Sequence, residues 1–162
     1  MVMQQSWAEA YILCEVFGAT YALRSEEIEQ LEMVGQLTPV PNAPPCVEGV
    51  TSVRGQVIPA VSLRARFGFP RAPYDLRSRL VVVRSGGRTV GLIADSAREF
   101  AVIMPETIQP PPETLASLSG NYLRGVAQIG ERLVLVLDVA GVLNLDSIPT
   151  LPATTETAVV AI

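Results

Sequence analysis

The prolines most strongly restrict what this chain can fold into. The 162 residues include thirteen of them, and ten gather in residues 39–45, 70–73 and 105–112. A proline fixes its own φ angle, lacks an amide hydrogen and disfavours the helical region for the residue before it, so no long helix can pass through these stretches. The chain is therefore predicted to consist of short elements joined by rigid, extended connections.

The apolar runs between the prolines have the composition and length of β-strands. Tyr11–Leu23 and Leu80–Ala94 each contain two such runs around a turn that includes glycine, which predicts two hairpins. Val57–Leu63 and Arg132–Val139 are predicted to be further strands, and Pro59 places the first of them at a sheet edge or at a bulge. The predicted fold class is all-β, with short helical turns only.

The two halves of the chain resemble each other. Cys46–Leu63 aligns without a gap on Tyr122–Val139, so that Gly49 matches Gly125. Similar apolar strands produce part of such a match by chance, but the order of hairpin, proline connection and apolar strand also repeats. The alignment predicts a duplication and hence two small, similar barrels.

We expect one domain over residues 9–145 that contains both barrels. The segment 69–78, with two prolines and charges of both signs, is predicted to connect them. The first barrel would then occupy residues 9–68 and the second residues 79–145. Residues 146–162, rich in threonine and alanine, are predicted to form a flexible tail.

The charged residues exclude several classes of function. The chain has no histidine and no lysine, since all twelve of its basic residues are arginine. A histidine general base, a Ser-His-Asp or Cys-His arrangement, a P-loop lysine and a Schiff-base lysine are therefore excluded, and neither a metal site nor a cofactor is expected. The net charge of −4 also argues against nucleic acid or an anionic membrane surface as a partner.

The two cysteines and the hydropathy pattern indicate the compartment. Cys14 and Cys46 stand alone in apolar stretches, which favours two reduced, buried thiols over a disulfide bond. No signal peptide is evident, and no apolar run approaches the roughly 20 residues of a membrane span. We therefore expect a cytoplasmic protein without direct membrane insertion.

Two features could carry chemistry or recognition. Asp95 and Asp138 each follow an apolar strand, where a carboxylate pair could act as acid and base or bind a divalent cation. The simpler interpretation is that each caps a turn. Arg54-Gly55 lies in a tight turn, where the guanidinium could either brace the loop or face a partner as a fixed donor. The residue chemistry alone does not decide between these two roles of Arg54.

Four segments, in this order and spacing, resemble the signature of the CheW family, the adaptors of bacterial chemosensory arrays. They are Val40–Arg64, Val90–Asp95, Ile108–Glu113 and Leu118–Val126. The resemblance spans roughly residues 9 to 145. It implies two SH3-like five-stranded β-barrel subdomains and no active site. It also implies two partners, the cytoplasmic tip of a chemoreceptor (a methyl-accepting chemotaxis protein) and the histidine kinase CheA.

The same resemblance implies a receptor-binding site in the groove between the subdomains. Carried over position by position, the site consists of Ile28, Gln30, Leu31, Val50, Arg54 and Gly55. Ile28, Leu31 and Val50 would supply an apolar anchor and Arg54 a polar one, with burial in the barrel as the alternative for Ile28 and Leu31. Gln30 stands where the family often has an acidic residue. The kinase contact is expected at barrel ends, without assignment to residues.

The resemblance leaves several functional alternatives. The adaptor would be cytoplasmic and recruited to membrane-associated receptor arrays, where copies could also self-associate. It could serve flagellar chemotaxis or a non-flagellar pathway such as one that controls type IV pili. The alternatives of another class are a regulatory fragment of a kinase or receiver fusion and a freestanding carboxylate enzyme.

Overall fold

A computed structural model describes residues 9–114 and 122–144 of the chain. Within these ranges the chain forms ten strands and two one-turn α-helices, together with 3-10 turns at Ser25–Glu27 and Pro105–Thr107. The strands are β1 (Glu9–Val16), β2 (Ala19–Arg24), β3 (Ile28–Met33), β4 (Val47–Val53), β5 (Gln56–Ser62), β6 (Arg79–Ser85), β7 (Arg88–Ala94), β8 (Ser96–Ile103), β9 (Leu123–Ile129) and β10 (Arg132–Leu137), and the helices are α1 (Leu63–Arg66) and α2 (Val139–Val142). The predicted tail, residues 146–162, lies outside the described residues.

The ten strands form two five-stranded sheets with the orders β8-β1-β2-β10-β9 and β3-β6-β7-β5-β4. Most neighbours are antiparallel, and each sheet contains one parallel pair, β2 with β10 and β5 with β7. The two orders are equivalent, because each places a hairpin between an edge strand and a second hairpin. The prediction of an all-β fold with two similar five-stranded SH3-like barrels is confirmed.

The division of the chain between the barrels differs from the prediction. Strands β3 to β7, residues 28–94, form one barrel, here called the middle barrel, whereas β1, β2 and β8 to β10 form the other, the terminal barrel. The predicted barrels at 9–68 and 79–145 are therefore wrong. The segment 69–78 joins α1 to β6 inside the middle barrel. Sequence order misleads here because the parallel pairs that join the hairpins are long-range contacts.

The side chains pack into three apolar cores. One fills the terminal barrel, a second fills the middle barrel, and the largest lies between the barrels. Strand β1 shows how one strand serves two cores, since Tyr11 and Leu13 face the barrel interior whereas Ile12 and Cys14 face the shared core. The shared core makes the two barrels one packed unit.

Both cysteines are free and buried, as predicted. Burial, and to a smaller extent the nearby Asp95 carboxylate, raises the pKa of the Cys14 thiol to about 12. Cys14 is therefore a neutral, apolar member of the shared core at physiological pH.

The predicted duplication is confirmed by matched hydrogen bonds in the two barrels. The side chains of Ser62 and Asp138 each accept a hydrogen bond from an amide at the start of the following one-turn helix. Gly49 and Gly125 each sit against a carbonyl oxygen of the chain that crosses the barrel end. An added Cβ would lie 2.2 Å from the Thr38 oxygen at Gly49 and 2.6 Å from the Gln109 oxygen at Gly125. Glycine is required at both positions because the backbones touch.

Pro59 does not mark a sheet edge. Strand β5 lies between β4 and β7, and the bulge of this hairpin falls in β4, between Val47 and Gly49. The parallel pairing with β7 begins only at Ala60. An interior strand accommodates Pro59 because the residue lies outside the segment paired with β7.

Candidate partner-binding site

Three of the predicted site residues lie on β3, which is an edge strand of the middle barrel and, among the described strands, pairs with β6 alone. The register shifts after Ile28, so that Ile28 and Leu31 both face the side of the sheet on which Val81 and Val83 lie. Ile28 packs against the shared core, whereas Leu31 is 37% exposed. The structure therefore places Ile28 partly in the core and leaves Leu31 accessible at the surface.

Val50 closes the middle barrel. Its amide donates to the Thr38 carbonyl over 2.8 Å, and its carbonyl accepts from the Thr38 amide over 2.9 Å. Because Thr38 follows β3 along the chain, this bridge ties the segment leaving one edge strand to β4, the other edge strand. Through this bridge, the predicted site residues on β3 and those on β4 and the following turn belong to one closed barrel.

Arg54 and Gly55 form the two-residue turn of the β4–β5 hairpin. Their φ angles are +52° and +80°, so both are in the left-handed region, as the twist of a tight hairpin requires. Gly55 adopts this conformation without strain, whereas Arg54 does not. Within residues 9–114 and 122–144 the Arg54 guanidinium has no hydrogen bond or ion pair, and the residue is exposed. The interpretation in which Arg54 braces the loop is wrong, and its donors are free.

The structure shows a second surface that the sequence analysis did not identify. Phe100, Val102 and Leu133 are 74%, 70% and 65% exposed. Phe100 pairs with Ile12 of β1 as Leu31 pairs with Val81 of β6, and both pairings follow a register shift. The edge strands β3 and β8 are therefore equivalent under the duplication.

The equivalence extends along both edge strands. Phe100 and Val102 correspond to Leu31 and Met33, and these residues are exposed in both barrels. The β5 residue Val57, aligned with Leu133 in the internal repeat, is exposed as well. We call Leu31 and Met33 the β3 patch, and Phe100 and Val102 the β8 patch. The 69-residue spacing of positions 31 and 100, and of 33 and 102, is the sequence signal that could have revealed the second patch.

The two candidate catalytic carboxylates have structural partners. Asp95 accepts hydrogen bonds from Arg64 and from the Phe17 amide, and Asp138 accepts one from the Gly141 amide at the start of α2. Burial raises the pKa of Asp95, but the bonds from Arg64 and Phe17 outweigh it, so that the pKa lies below its usual value. Both carboxylates thus cap or join chain segments, in agreement with the simpler interpretation.

The described part of the chain contains no cluster of three or more Cys, Asp or Glu residues placed to hold a metal ion. Among the same residues, no helix combines the length and apolarity that a bilayer crossing requires. Within the described residues, what the surface offers is contact area: two apolar patches on edge strands, and exposed arginine side chains without a hydrogen bond or ion pair, Arg54 among them. Such features are typical of protein interfaces.

The comparisons with known proteins agree with this geometry. The family model described as "CheW-like domain" matches residues 10–147. The chain belongs to the CheW-like domain family. It is 26% identical over 136 residues to "Chemotaxis protein CheW" of Klebsiella aerogenes, covering 84% of this chain and 82% of that one. It is 36% identical over 109 residues to the Helicobacter pylori protein of the same name, covering 67% and 66%.

A solved structure with the same fold is that of the scaffolding protein TtCheW from Thermoanaerobacter tengcongensis. It aligns with a TM-score of 0.82 at 22% identity and covers 90% of this chain and 99% of the other. The chain is thus a CheW-like scaffolding, or adaptor, protein of a non-catalytic family.

Proposed function

We propose that this CheW-like adaptor links the cytoplasmic tip of a chemoreceptor to the histidine kinase CheA and catalyses no reaction itself. The observation that supports this is the pair of equivalent apolar patches, one on each barrel. An adaptor needs two binding surfaces that can be occupied together. A duplicated fold that leaves corresponding patches exposed on both copies supplies them.

The β3 patch is the proposed receptor surface. Leu31 is an exposed apolar anchor, and Arg54 supplies unpaired donors. Ile28, Val50 and Gly55 support these two residues, since Ile28 packs on the shared core, Val50 closes the barrel and Gly55 completes the turn. An apolar anchor combined with a guanidinium is a frequent composition of interface hot spots.

The β8 patch is the proposed kinase surface. A solvent-facing sheet edge normally carries polar or charged side chains, which prevent unwanted strand pairing. Here Phe100 and Val102 lie on an edge strand, and the neighbouring residue Glu99 forms an ion pair with Arg132 at 2.9 Å. We assign this patch to the kinase because Arg54, the polar residue of the proposed receptor surface, lies on the other barrel. The protein would act in the cytoplasm, recruited to membrane-associated receptor arrays.

Binding assays with separate partners test both assignments. Arg54→Ala together with Leu31→Ser should weaken binding to a receptor fragment by at least about tenfold and leave kinase binding unchanged. Phe100→Ser together with Val102→Ser should do the reverse. Thermal unfolding of each variant serves as the control for folding. If either double variant is as stable as the wild type but binds neither partner, the assignment of separate surfaces is contradicted. If the wild type binds neither partner, the proposed function is contradicted.

A further inference from the structure

Each edge strand that carries a patch contains a β-bulge, and the two bulges are equivalent. The register of β3 shifts around Glu29, which has no residue of β6 opposite it. The register of β8 shifts in the same way around Arg98, which has no residue of β1 opposite it. The two bulge residues are 69 positions apart, as are Leu31 and Phe100. The duplicated strands therefore share the bulge but carry opposite charges in it.

The charges on the neighbouring strands are reversed as well. Arg84 of β6 and Glu15 of β1 are also 69 positions apart. In the middle barrel, Nη1 of Arg84 lies 3.3 Å from Oε2 of Glu29, so an ion pair neutralises the bulge charge. The terminal barrel has the same two charges in exchanged positions, with arginine in the bulge and glutamate on the neighbouring strand. An ion pair between Glu15 and Arg98 would make the two bulges alike.

The exchanged ion pair does not form. Within the described residues, the exposed Arg98 side chain has no hydrogen bond or ion pair. Glu15 instead accepts a hydrogen bond from the Ser96 hydroxyl over 3.4 Å. Glu99 pairs with Arg132 over 2.9 Å, and the pKa of Glu99 is lowered mainly by Arg132, with Arg98 as the smallest contribution. Arg98 thus keeps its N–H donors available, whereas the other bulge residue is already paired.

Arg98 lies beside the β8 patch, two positions before Phe100 and four before Val102. Bulges commonly redirect a side chain at a sheet edge, and here the redirected side chain is a guanidinium. Large exposed apolar side chains next to an arginine have the composition of an interface hot spot. The apolar pair would supply buried area, and Arg98 would supply directional hydrogen bonds. Of the two bulges, that of β8 presents the free cation.

We propose that Arg98 binds a carboxylate of the kinase beside the β8 patch. The inference rests on the proposed function and adds to it a polar recognition residue and the charge of the group that it recognises. A guanidinium can bind a carboxylate through two parallel N–H donors, which fixes orientation as well as adding affinity. No carboxylate of the described chain takes that place on Arg98.

The reversed charge also explains how two equivalent edges can select different partners. Apolar contacts alone discriminate weakly between two exposed patches of similar shape, whereas a like charge placed opposite a partner's charge excludes that partner. A kinase carboxylate that meets Arg98 at the β8 edge would meet Glu29 at the corresponding place on β3. The kinase is therefore expected to bind the β8 edge.

Titration of the kinase against the full chain at two salt concentrations tests the role of Arg98. Arg98→Gln removes the charge and should weaken kinase binding about tenfold and reduce its salt dependence. Arg98→Glu should weaken it at least about a hundredfold, because two carboxylates then face each other. Arg77→Gln is the matched control, since Arg77 is also exposed but lies away from both edge strands, and binding should change less than about twofold. Receptor binding should stay unchanged in all three variants.

A charge exchange on the kinase identifies the recognised group. Replacing the surface carboxylates of the kinase one at a time by lysine should reveal one change that weakens binding to the wild type and restores binding to Arg98→Glu. Finding none would overturn the inference. A second exchange tests the choice of edge: in the Phe100→Ser and Val102→Ser double variant, adding Glu29→Arg should recover kinase binding at least about fivefold. No recovery would overturn the role of charge in selecting the edge.

The outcomes separate this inference from the proposed function. Wild-type affinity and salt dependence for an Arg98→Gln variant of native thermal stability would overturn the role of Arg98. Loss of kinase binding in the Phe100→Ser and Val102→Ser double variant would in that case leave the adaptor function and its β8 surface intact. Absence of kinase binding by the wild type would overturn the proposed function itself.

Discussion

The Asp95 carboxylate accepts hydrogen bonds from the Arg64 guanidinium at 2.9 Å from Nε and 2.8 Å from Nη2. Arg64 belongs to α1, which follows β5 within the middle barrel, and the same carboxylate accepts from the Phe17 amide of the terminal barrel at 2.9 Å. One side chain at a chain crossing thus binds both barrels. Its position explains why a carboxylate stands there without a catalytic partner.

Replacing Asp95 should destabilise the whole protein. Asp95→Ala leaves the Arg64 guanidinium and the Phe17 amide without their acceptor, and we expect a loss of about 2–3 kcal/mol in the free energy of unfolding. Denaturant unfolding of the variant and of Glu106→Ala, an exposed carboxylate in the 3-10 turn, provides the measurement and the control. Equal stability of the two variants would contradict the role given to Asp95.

The same carboxylate should make stability depend on pH. The pKa of Asp95 is lowered in the folded chain from its usual value of 3.8, so its stabilising effect is present above that value and is lost as the pH falls through the folded pKa. The stability advantage of the wild type over Asp95→Asn should therefore be constant near neutral pH and decrease below about pH 4. A difference that persists at pH 2 would show that the charge of Asp95 is not responsible.

Substitutions of Phe17 should show an unusual order of stability. Phe17→Ala loses the stacking on Phe69 but keeps a side chain at a φ of +51°, whereas Phe17→Gly loses the stacking and the strain. We expect Phe17→Gly to be more stable than Phe17→Ala by about 1 kcal/mol, and both to be less stable than the wild type. Thermal unfolding distinguishes the three proteins, and an alanine variant at least as stable as the glycine variant would refute the strain.

Arg54 should show a conflict between stability and binding. Because Arg54 has a φ of +52°, Arg54→Gly should stabilise the fold by about 0.5–1 kcal/mol. The same change removes the free guanidinium and should weaken receptor binding. Unfolding and binding measured on the same preparation test this, and a variant that loses stability would contradict the left-handed turn.

Replacing Gly49 should disturb the closure of the middle barrel, because the backbone of Thr38 lies against this residue. Gly49→Ala places a Cβ 2.2 Å from the Thr38 oxygen at a φ of +145°, so the Thr38–Val50 bridge must break or shift, at about 3 kcal/mol. Gly35→Ala is the control, because no atom of residues 9–114 and 122–144 lies within 4 Å of its added Cβ. Similar unfolding midpoints for the two variants would contradict the close approach.

Local features of the sequence were sufficient for much of the fold and for part of the site. The prolines and apolar runs predicted the strands, the gapless match of Cys46–Leu63 on Tyr122–Val139 predicted the duplication, and Arg54-Gly55 was recognised as a turn. These predictions succeed because strand composition, turn chemistry and φ restrictions act over a few residues. The placement of Ile28 and Leu31 could not be predicted in the same way. A one-residue register shift decides which side of the sheet each side chain faces.

The sequence by itself determined what this protein is made of: short strands, two reduced thiols, two similar halves, and a set of side chains without histidine or lysine. The tertiary structure alone decided which hairpin belongs to which barrel, that Phe17 stacks on Phe69, and which residues form the β8 patch. The reason is that strands from distant parts of the chain come together through parallel pairs, and pairing over that distance leaves no local signal. The shared core then joins both barrels and fixes the positions of their exposed edge strands.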